Sequence, residues 1–207
     1  MSLAFDLLET LQWTPAHGFL LLDRHLDRIA RSARHFGYAC DTANLRSVLD
    51  RAVKVSAEPL RVRLLVSGDG TARAEQAVLV PQDSTARVIL ARTPIDPAEE
   101  FLYHKTTNRQ VYENARRSAQ DSSVDDVILW NANRQVTEST IANVVVEIGG
   151  RRITPPIECG LLPGTFRAQL LEEGAIAEGI VTIDELKAAP RLWLVNSVRE
   201  WWPAELQ

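Results

Sequence analysis

Residues 60–81 read LRVRLLVSGDGTARAEQAVLVP. Two runs, Leu60–Ser67 and Ala74–Pro81, flank Gly68-Asp69-Gly70, and strand-like patterning on both sides of a glycine-bearing turn predicts a β-hairpin. Upstream the period is that of helices. Leu26, Ile29, Ala30, Ala33 and Phe36 recur at helical spacing, so Arg24–Phe36 is expected as a helix capped by Asp23 and ended by Gly37, with His25 and Arg28 about one turn apart. A second helix is expected from a cap at Asp41 or Thr42 through Val55, with Leu45, Val48, Leu49, Ala52 and Val53 on its inner face. Before these helices, Phe5–Leu11 and Gly18–Leu22 read as strands, and Arg87–Ala91 reads as a further strand after the hairpin. The N-terminal unit is therefore read as an α+β layer.

Thr93–Glu100 contains Pro94, Pro97 and the acids Asp96, Glu99 and Glu100, the composition of a connector. The expected organisation is an N-terminal α+β domain over 1–95, a linker over about 93–100 and a larger second domain over 101–207. Within the second domain a helix is expected over Arg109–Ala119 and strands over Asp126–Trp130, Gln135–Thr137 and Asn143–Ile148. Another helix should follow Gly160-Leu161-Leu162-Pro163-Gly164. A last helix should begin at Thr182-Ile183-Asp184-Glu185, whose Thr-x-x-Glu spacing is a capping box, and Leu192–Val195 reads as the last strand.

The 207 residues, 45% of them apolar, can bury a substantial core. A net charge of -4, with arginines scattered among acids, argues against a nucleic-acid partner. Cys40 and Cys159 form no metal-ligand or disulfide pattern, no zinc or other metal site is expected, and Cys159 reads as a buried inert thiol rather than a nucleophile. With no apolar run approaching a membrane span, a soluble cytoplasmic protein is expected.

Twenty of the twenty-three basic side chains are Arg; the lysines are Lys54, Lys105 and Lys187. Lys105 stands in His104-Lys105-Thr106-Thr107-Asn108-Arg109. It reads either as a surface Lys or as an amine nucleophile, because a Lys can lose its proton and form an imine with a carbonyl while Arg cannot. Gly160–Gly164 ahead of Thr165-Phe166-Arg167 is either a connection or an anion cup at a helix start. Glu138 is either a surface or helix-start carboxylate or a buried partner for a cationic ring nitrogen. Ser197, after an apolar strand, either makes a turn or meets a ligand. Trp201 and Trp202 read as core or interface residues. An imine-forming Lys, a ring-pairing Glu and a phosphate cup together describe pyridoxal phosphate chemistry.

Several ordered motifs run through nearly the whole chain: Phe5-Asp6-Leu7-Leu8-Glu9-Thr10, His25-x-x-Arg28 with Ser32-Ala33, His104 to Arg109, Val136-Thr137-Glu138-Ser139-Thr140-x-x-Asn143, Leu161-Leu162-Pro163-Gly164-Thr165-x-Arg167 and Asn196-Ser197-Val198-Arg199. With them the chain resembles the class IV aminotransferase-type pyridoxal phosphate enzymes. This fold-type IV group includes branched-chain and D-amino acid aminotransferases and aminodeoxychorismate lyase, and the wording is most similar to short lyase domains.

The resemblance implies a two-domain α/β (α+β) fold with a small N-terminal domain and a larger cofactor-binding domain. It implies that Lys105 carries the cofactor and moves the proton, that Glu138 keeps the pyridine nitrogen protonated, and that Arg28 binds the phosphate. The N–H groups of Thr165 and Phe166 with the Ser197 hydroxyl would complete the phosphate cup, and Leu162 would lie against the ring. Arg61, Arg63, Arg109 and Val198 are candidate substrate contacts.

Branched-chain aminotransferases carry Tyr where Arg109 stands, aminotransferases often have Thr where Phe166 stands, and related lyase domains tend to have Gly where Glu200 stands. The implied reaction converts 4-amino-4-deoxychorismate to 4-aminobenzoate and pyruvate. The alternatives are a class IV aminotransferase acting on branched-chain or D-amino acids, and a protein that keeps the fold without turnover. Expected partners are a small amino substrate, a second copy in a homodimer and an aminodeoxychorismate synthase.

Overall fold

The computed structural model describes residues 5–82, 84–119 and 124–207. They fall into two compact units. The first runs to Pro81 and takes in His104–Asn108, whereas the second comprises Gln82–Tyr103 and Arg109–Gln207.

In the first unit, β1 (Leu7–Thr14), β2 (Gly18–Phe19), α1 (Leu22–Phe36), α2 (Thr42–Val53), β3 (Leu60–Val66) and β4 (Ala72–Val78) form an antiparallel sheet of order β2-β1-β3-β4 with two helices. The pairing Leu7↔Val66 through Trp13↔Leu60 puts Leu7 and Leu11 on one face with Leu60, Val62, Leu64 and Val66. That face packs with Leu26, Ile29 and Ala33 of α1 and Leu45 and Leu49 of α2 in one core. The period-2 and period-3.6 patterns thus converge on a shared interior.

The second expected strand is shorter than Gly18–Leu22, because Leu21 turns left-handed at φ 55 and becomes the N-cap of α1 with no side-chain cap. Asp23 is accordingly not the cap. It lies in the first turn, where an acid suits the helix dipole, and its carboxylate accepts from Arg46 at 2.6 Å. Gly37, at φ 69, closes the helix, and the Tyr38 N–H returns to the Ala33 carbonyl at 2.8 Å. Asp41 caps α2 as expected.

Residues 105–107 lie along the start of β1. The Leu8 N–H donates to the Lys105 carbonyl at 2.9 Å, Thr106 bridges Leu7, and the Thr107 N–H donates to the Asp6 carbonyl at 2.9 Å. Lys105 is thereby fixed in the first unit by backbone hydrogen bonds rather than left on a loop.

The second unit contains β5 (Ala86–Leu90), α3 (Gln110–Ser118), β6 (Asp126–Trp130), β7 (Val136–Ser139), β8 (Asn143–Ile148), β9 (Arg151–Thr154), α4 (Thr165–Glu172), β10 (Ala177–Glu178), α5 (Ile183–Ala188), β11 (Leu192–Asn196) and β12 (Glu200–Leu206). Their sheet has the order β10-β9-β8-β11-β12-β5-β6-β7, and β7 pairs again with β8 at Glu138↔Asn143. Six strands thus return on themselves around Val88, Ile128, Val136, Val144, Leu194 and Trp202. A second cluster, with Leu102, Tyr112, Ala115, Val127 and Leu129, packs α3 against the sheet.

Three strands depart from the sequence reading. β9 and β10 are short, and β12 extends the chain beyond Leu192–Val195, the expected last strand. Pro203 masks β12, yet its missing N–H precedes the parallel pairing with β5, which starts at Ala204.

The expected boundary at 93–100 also differs from the contacts. β5 inserts between β12 and β6, and the Ile95 N–H donates to the Trp130 carbonyl at 2.8 Å, so the Pro-rich stretch is part of the second unit. Among the described residues no helix is long and apolar enough to cross a membrane.

Candidate active site

In the first unit, Glu9 sits on β1 within the core-facing row and is 1% exposed. Its Oε1 accepts from Arg28 Nε and its Oε2 from the guanidinium NH2 group, both at 2.7 Å, and His25 Nδ1 lies 2.6 Å from Oε2. Helical spacing on α1 delivers His25 and Arg28 to the same carboxylate. Burial opposes ionisation of Glu9, but the Arg28 charge, the His25 charge and their hydrogen bonds outweigh it, and the carboxyl is held well below its usual range. Burial is also the largest influence on His25, lowering its pKa, with Arg28 and Lys105 adding to that and Glu9 opposing. At neutral pH His25 is an uncharged ring whose Nδ1–H donates to Glu9, its charge acting on Glu9 only in acid, and Arg28 is held by a two-point carboxylate clamp.

Beside Lys105, His104 stacks on His35 with ring centroids 4.3 Å apart, and its Nδ1 is 2.9 Å from Ser32 Oγ. Ser32, singled out by its place in the helix motif, thus braces the residue next to the lysine.

In the second unit, Glu138 lies inside β7, not after a strand, and is 4% exposed. Its Oε1 accepts from Tyr112 OH at 2.7 Å and from the Leu162 N–H at 3.1 Å. Asn143 Nδ2 reaches Oε2 at 3.4 Å and the Leu162 carbonyl at 2.9 Å. One asparagine therefore ties the acid to the turn before α4. Gly164 is the N-cap of α4 and supplies no side-chain cap; a Cβ there would lie 1.9 Å from Asn143 Oδ1. The first-turn N–H groups of Thr165 and Phe166 carry the positive end of the helix. A buried carboxylate on a strand suits a cationic ring nitrogen, and a glycine-capped helix start suits a phosphate.

The other candidates are distributed as follows. Arg61 and Arg63 lie on β3 facing away from the core; Arg61 is exposed and Arg63 pairs with Glu75 at 3.2 Å. Arg109 precedes α3, donates to the Thr140 carbonyl and lies over the Tyr112 ring, 4.5 Å from its centroid. Ser197 and Val198 are buried in the turn after β11, where Asn196 Oδ1 accepts from the Val198 and Arg199 N–H groups at 2.9 Å each. Glu200 adopts φ 55, the left-handed conformation that favours glycine. Cys159 is buried, which pushes its thiol pKa up, as an inert thiol requires.

Glu9 and Tyr112 escaped the sequence reading. The available signal for Glu9 was a carboxylate at a core-facing position of an apolar strand; for Tyr112 there was none, since its partner is 26 residues away.

Residues 6–206 match the family Amino-transferase class IV. The chain belongs to it. It is accordingly a pyridoxal phosphate-dependent enzyme. A Schizosaccharomyces pombe protein provisionally named aminodeoxychorismate lyase is 35% identical over 192 residues, 87% of this chain and 81% of that protein. The structure of a provisionally named amino-acid aminotransferase from Mesorhizobium loti aligns with TM-score 0.93 and 39% identity, over 98% of this chain and all of that one. The pyridoxal phosphate-bound form of a hypothetical aminotransferase from Mycobacterium tuberculosis aligns with TM-score 0.82 and 22% identity, over 98% of this chain and 81% of that one, a likeness of fold.

Proposed function

We propose that this class IV enzyme is a lyase that converts 4-amino-4-deoxychorismate to 4-aminobenzoate and pyruvate. The observation that carries this reading is Arg109. It stands where branched-chain aminotransferases carry a Tyr, and its guanidinium is committed to the Thr140 carbonyl and the Tyr112 ring. The similarity to the S. pombe protein, which extends over most of both chains, points the same way.

Bound pyridoxal phosphate supplies an electron sink for the pair left when a proton is removed beside the substrate nitrogen. Lys105 holds the cofactor and then takes the proton from C4 of the substrate. The C3–O bond to the enolpyruvyl group breaks, the ring becomes aromatic, and the departing enol is protonated to pyruvate, so no oxidant is needed. Glu138 keeps the proton on the ring nitrogen. Arg28, oriented by Glu9, neutralises the phosphate with the N–H groups of Thr165 and Phe166 and the Ser197 hydroxyl, while Leu162 lies against the ring. Arg61 or Arg63 receives a substrate carboxylate, and Val198 is a further substrate contact. The working form is a homodimer, and an aminodeoxychorismate synthase supplies the substrate.

A second reading, an aminotransferase, is favoured by the 39% identity to the M. loti protein. Both reactions begin with the same proton removal. The loaded enzyme is given 4-amino-4-deoxychorismate without a 2-oxo acid, and separately D-alanine or L-leucine with 2-oxoglutarate. 4-Aminobenzoate and pyruvate in equal amounts are expected in the first reaction. Glutamate in the second with no pyruvate in the first would overturn the lyase assignment.

A further inference from the structure

We infer that Tyr112 is a positioning residue for the reaction: its hydroxyl fixes Glu138 as the anionic partner of the cofactor's ring nitrogen, so that the shared proton stays on the ring. This rests on the reading that Glu138 serves that nitrogen. Tyr112 is 7% exposed and Glu138 4%, and the phenol donates to Oε1 at 2.7 Å. The Leu162 N–H donates to the same oxygen at 3.1 Å and Asn143 Nδ2 reaches Oε2 at 3.4 Å, so the carboxylate is met by donors from different elements.

The donor is held in place. Arg109, Tyr112 and Arg116 follow one another along one side of α3 and its N-cap, and each grips the strand region around Glu138. Arg109 donates to the Thr140 carbonyl, Arg116 Nε to Thr140 Oγ1 at 2.7 Å, and Arg116 NH2 to Asp126 Oδ1 at 2.9 Å. Arg109 also covers the Tyr112 ring. Burial first, and then the Glu138 charge, push the phenol well above its ordinary range, so it remains a protonated donor at any working pH.

Donation to a carboxylate stabilises its charged form and so lowers its basicity. A less basic Glu138 leaves the proton on the pyridine nitrogen. Without the phenol Glu138 would compete for that proton, and the chromophore that Lys105 would form with the bound cofactor would titrate at higher pH.

The test is Tyr112→Phe beside Glu138→Gln, both loaded with pyridoxal phosphate, with the visible absorption band titrated against pH. Tyr112→Phe should raise the band's midpoint by roughly half to one pH unit. It should also lower kcat by about tenfold or more without response to added cofactor, and Glu138→Gln should move the midpoint further in the same direction. A wild-type midpoint and kcat in Tyr112→Phe, with Glu138→Gln shifted, would overturn the Tyr112 inference and leave the Glu138 reading intact. No shift in Glu138→Gln would remove the reading beneath it, and the inference with it. If Tyr112→Phe does not fold, 3-fluorotyrosine at position 112 keeps the shape with a more acidic phenol. It should lower the midpoint, and an unchanged midpoint there refutes the inference equally.

Discussion

Replacing Glu9 with Gln keeps the shape of the side chain and removes its charge from a site that is 1% exposed. Arg28 then remains buried without its carboxylate, and His25 loses the acceptor 2.6 Å from Nδ1. Breaking a buried ion pair from one side costs about 3–5 kcal/mol, and the amide's residual hydrogen bonds place Glu9→Gln near the lower end, about 3 kcal/mol. For a chain of roughly this size each kcal/mol moves Tm by about 2–4 °C, so a drop of about 6–12 °C is expected.

The acid dependence should change as well. The folded pKa of Glu9 is depressed from 4.5, so its contribution is full above that value and is lost as pH falls through the folded value. His25 is lowered from 6.5, so its neutral buried form favours the fold above that value and the benefit is lost as pH falls below it. The wild-type chain should therefore weaken in two stages on acidification, the first beginning near the His25 value and the second near the Glu9 value. In Glu9→Gln the second stage should be missing. Calorimetry and far-UV melting between about pH 2 and pH 8 measure both effects. A variant within about 1 kcal/mol of wild type, with both stages intact, would show that Glu9 is not the buried charge that holds Arg28 and His25.

Lys105→Ala and Lys105→Arg should abolish both turnover and the visible chromophore, since neither offers an amine that can form an imine; borohydride bleaching of the wild type alone is the check. Gly164→Ala forces a Cβ to within 1.9 Å of Asn143 Oδ1, so Asn143 must leave Glu138 and Leu162, costing about 1–3 kcal/mol and weakening cofactor binding, read by spectral titration of the apoprotein. Glu200→Gly relieves a non-glycine φ of 55 against the larger chain entropy of glycine, and a net gain of about 0.5 kcal/mol, or about 1–2 °C in Tm, is expected in a thermal melt.

What was legible in the sequence was local. α1, α2 and the hairpin follow from periodicity and turn residues that lie within the same segment, and the Thr182–Glu185 capping box forms as its spacing requires. Lys105, Arg28 and Glu138 stood out for another reason, the order along the chain of the motifs that carry them.

What was not legible depends on distant partners. β5 reads as a strand in isolation, but its sheet is set by parallel pairing with β12, more than a hundred residues away. Leu21 caps α1 through a backbone conformation that no side-chain pattern announces. β12 is disguised by Pro203 and by charges at its two ends, while Glu9 and Tyr112 acquire their meaning only from Arg28 and Glu138, which tertiary structure brings to them.

The stretch His104–Asn108 is counted with the first unit although the chain on both sides of it belongs to the second. Division of the gene at the Pro-rich stretch 93–100 would not yield two self-sufficient halves. The upstream fragment would lack the segment that pairs with the start of β1, and the downstream fragment would carry that segment, with Lys105, away from the strand whose backbone it bonds. The two parts of this polypeptide are laced rather than strung, and duplication, exchange or loss during descent must act on them together.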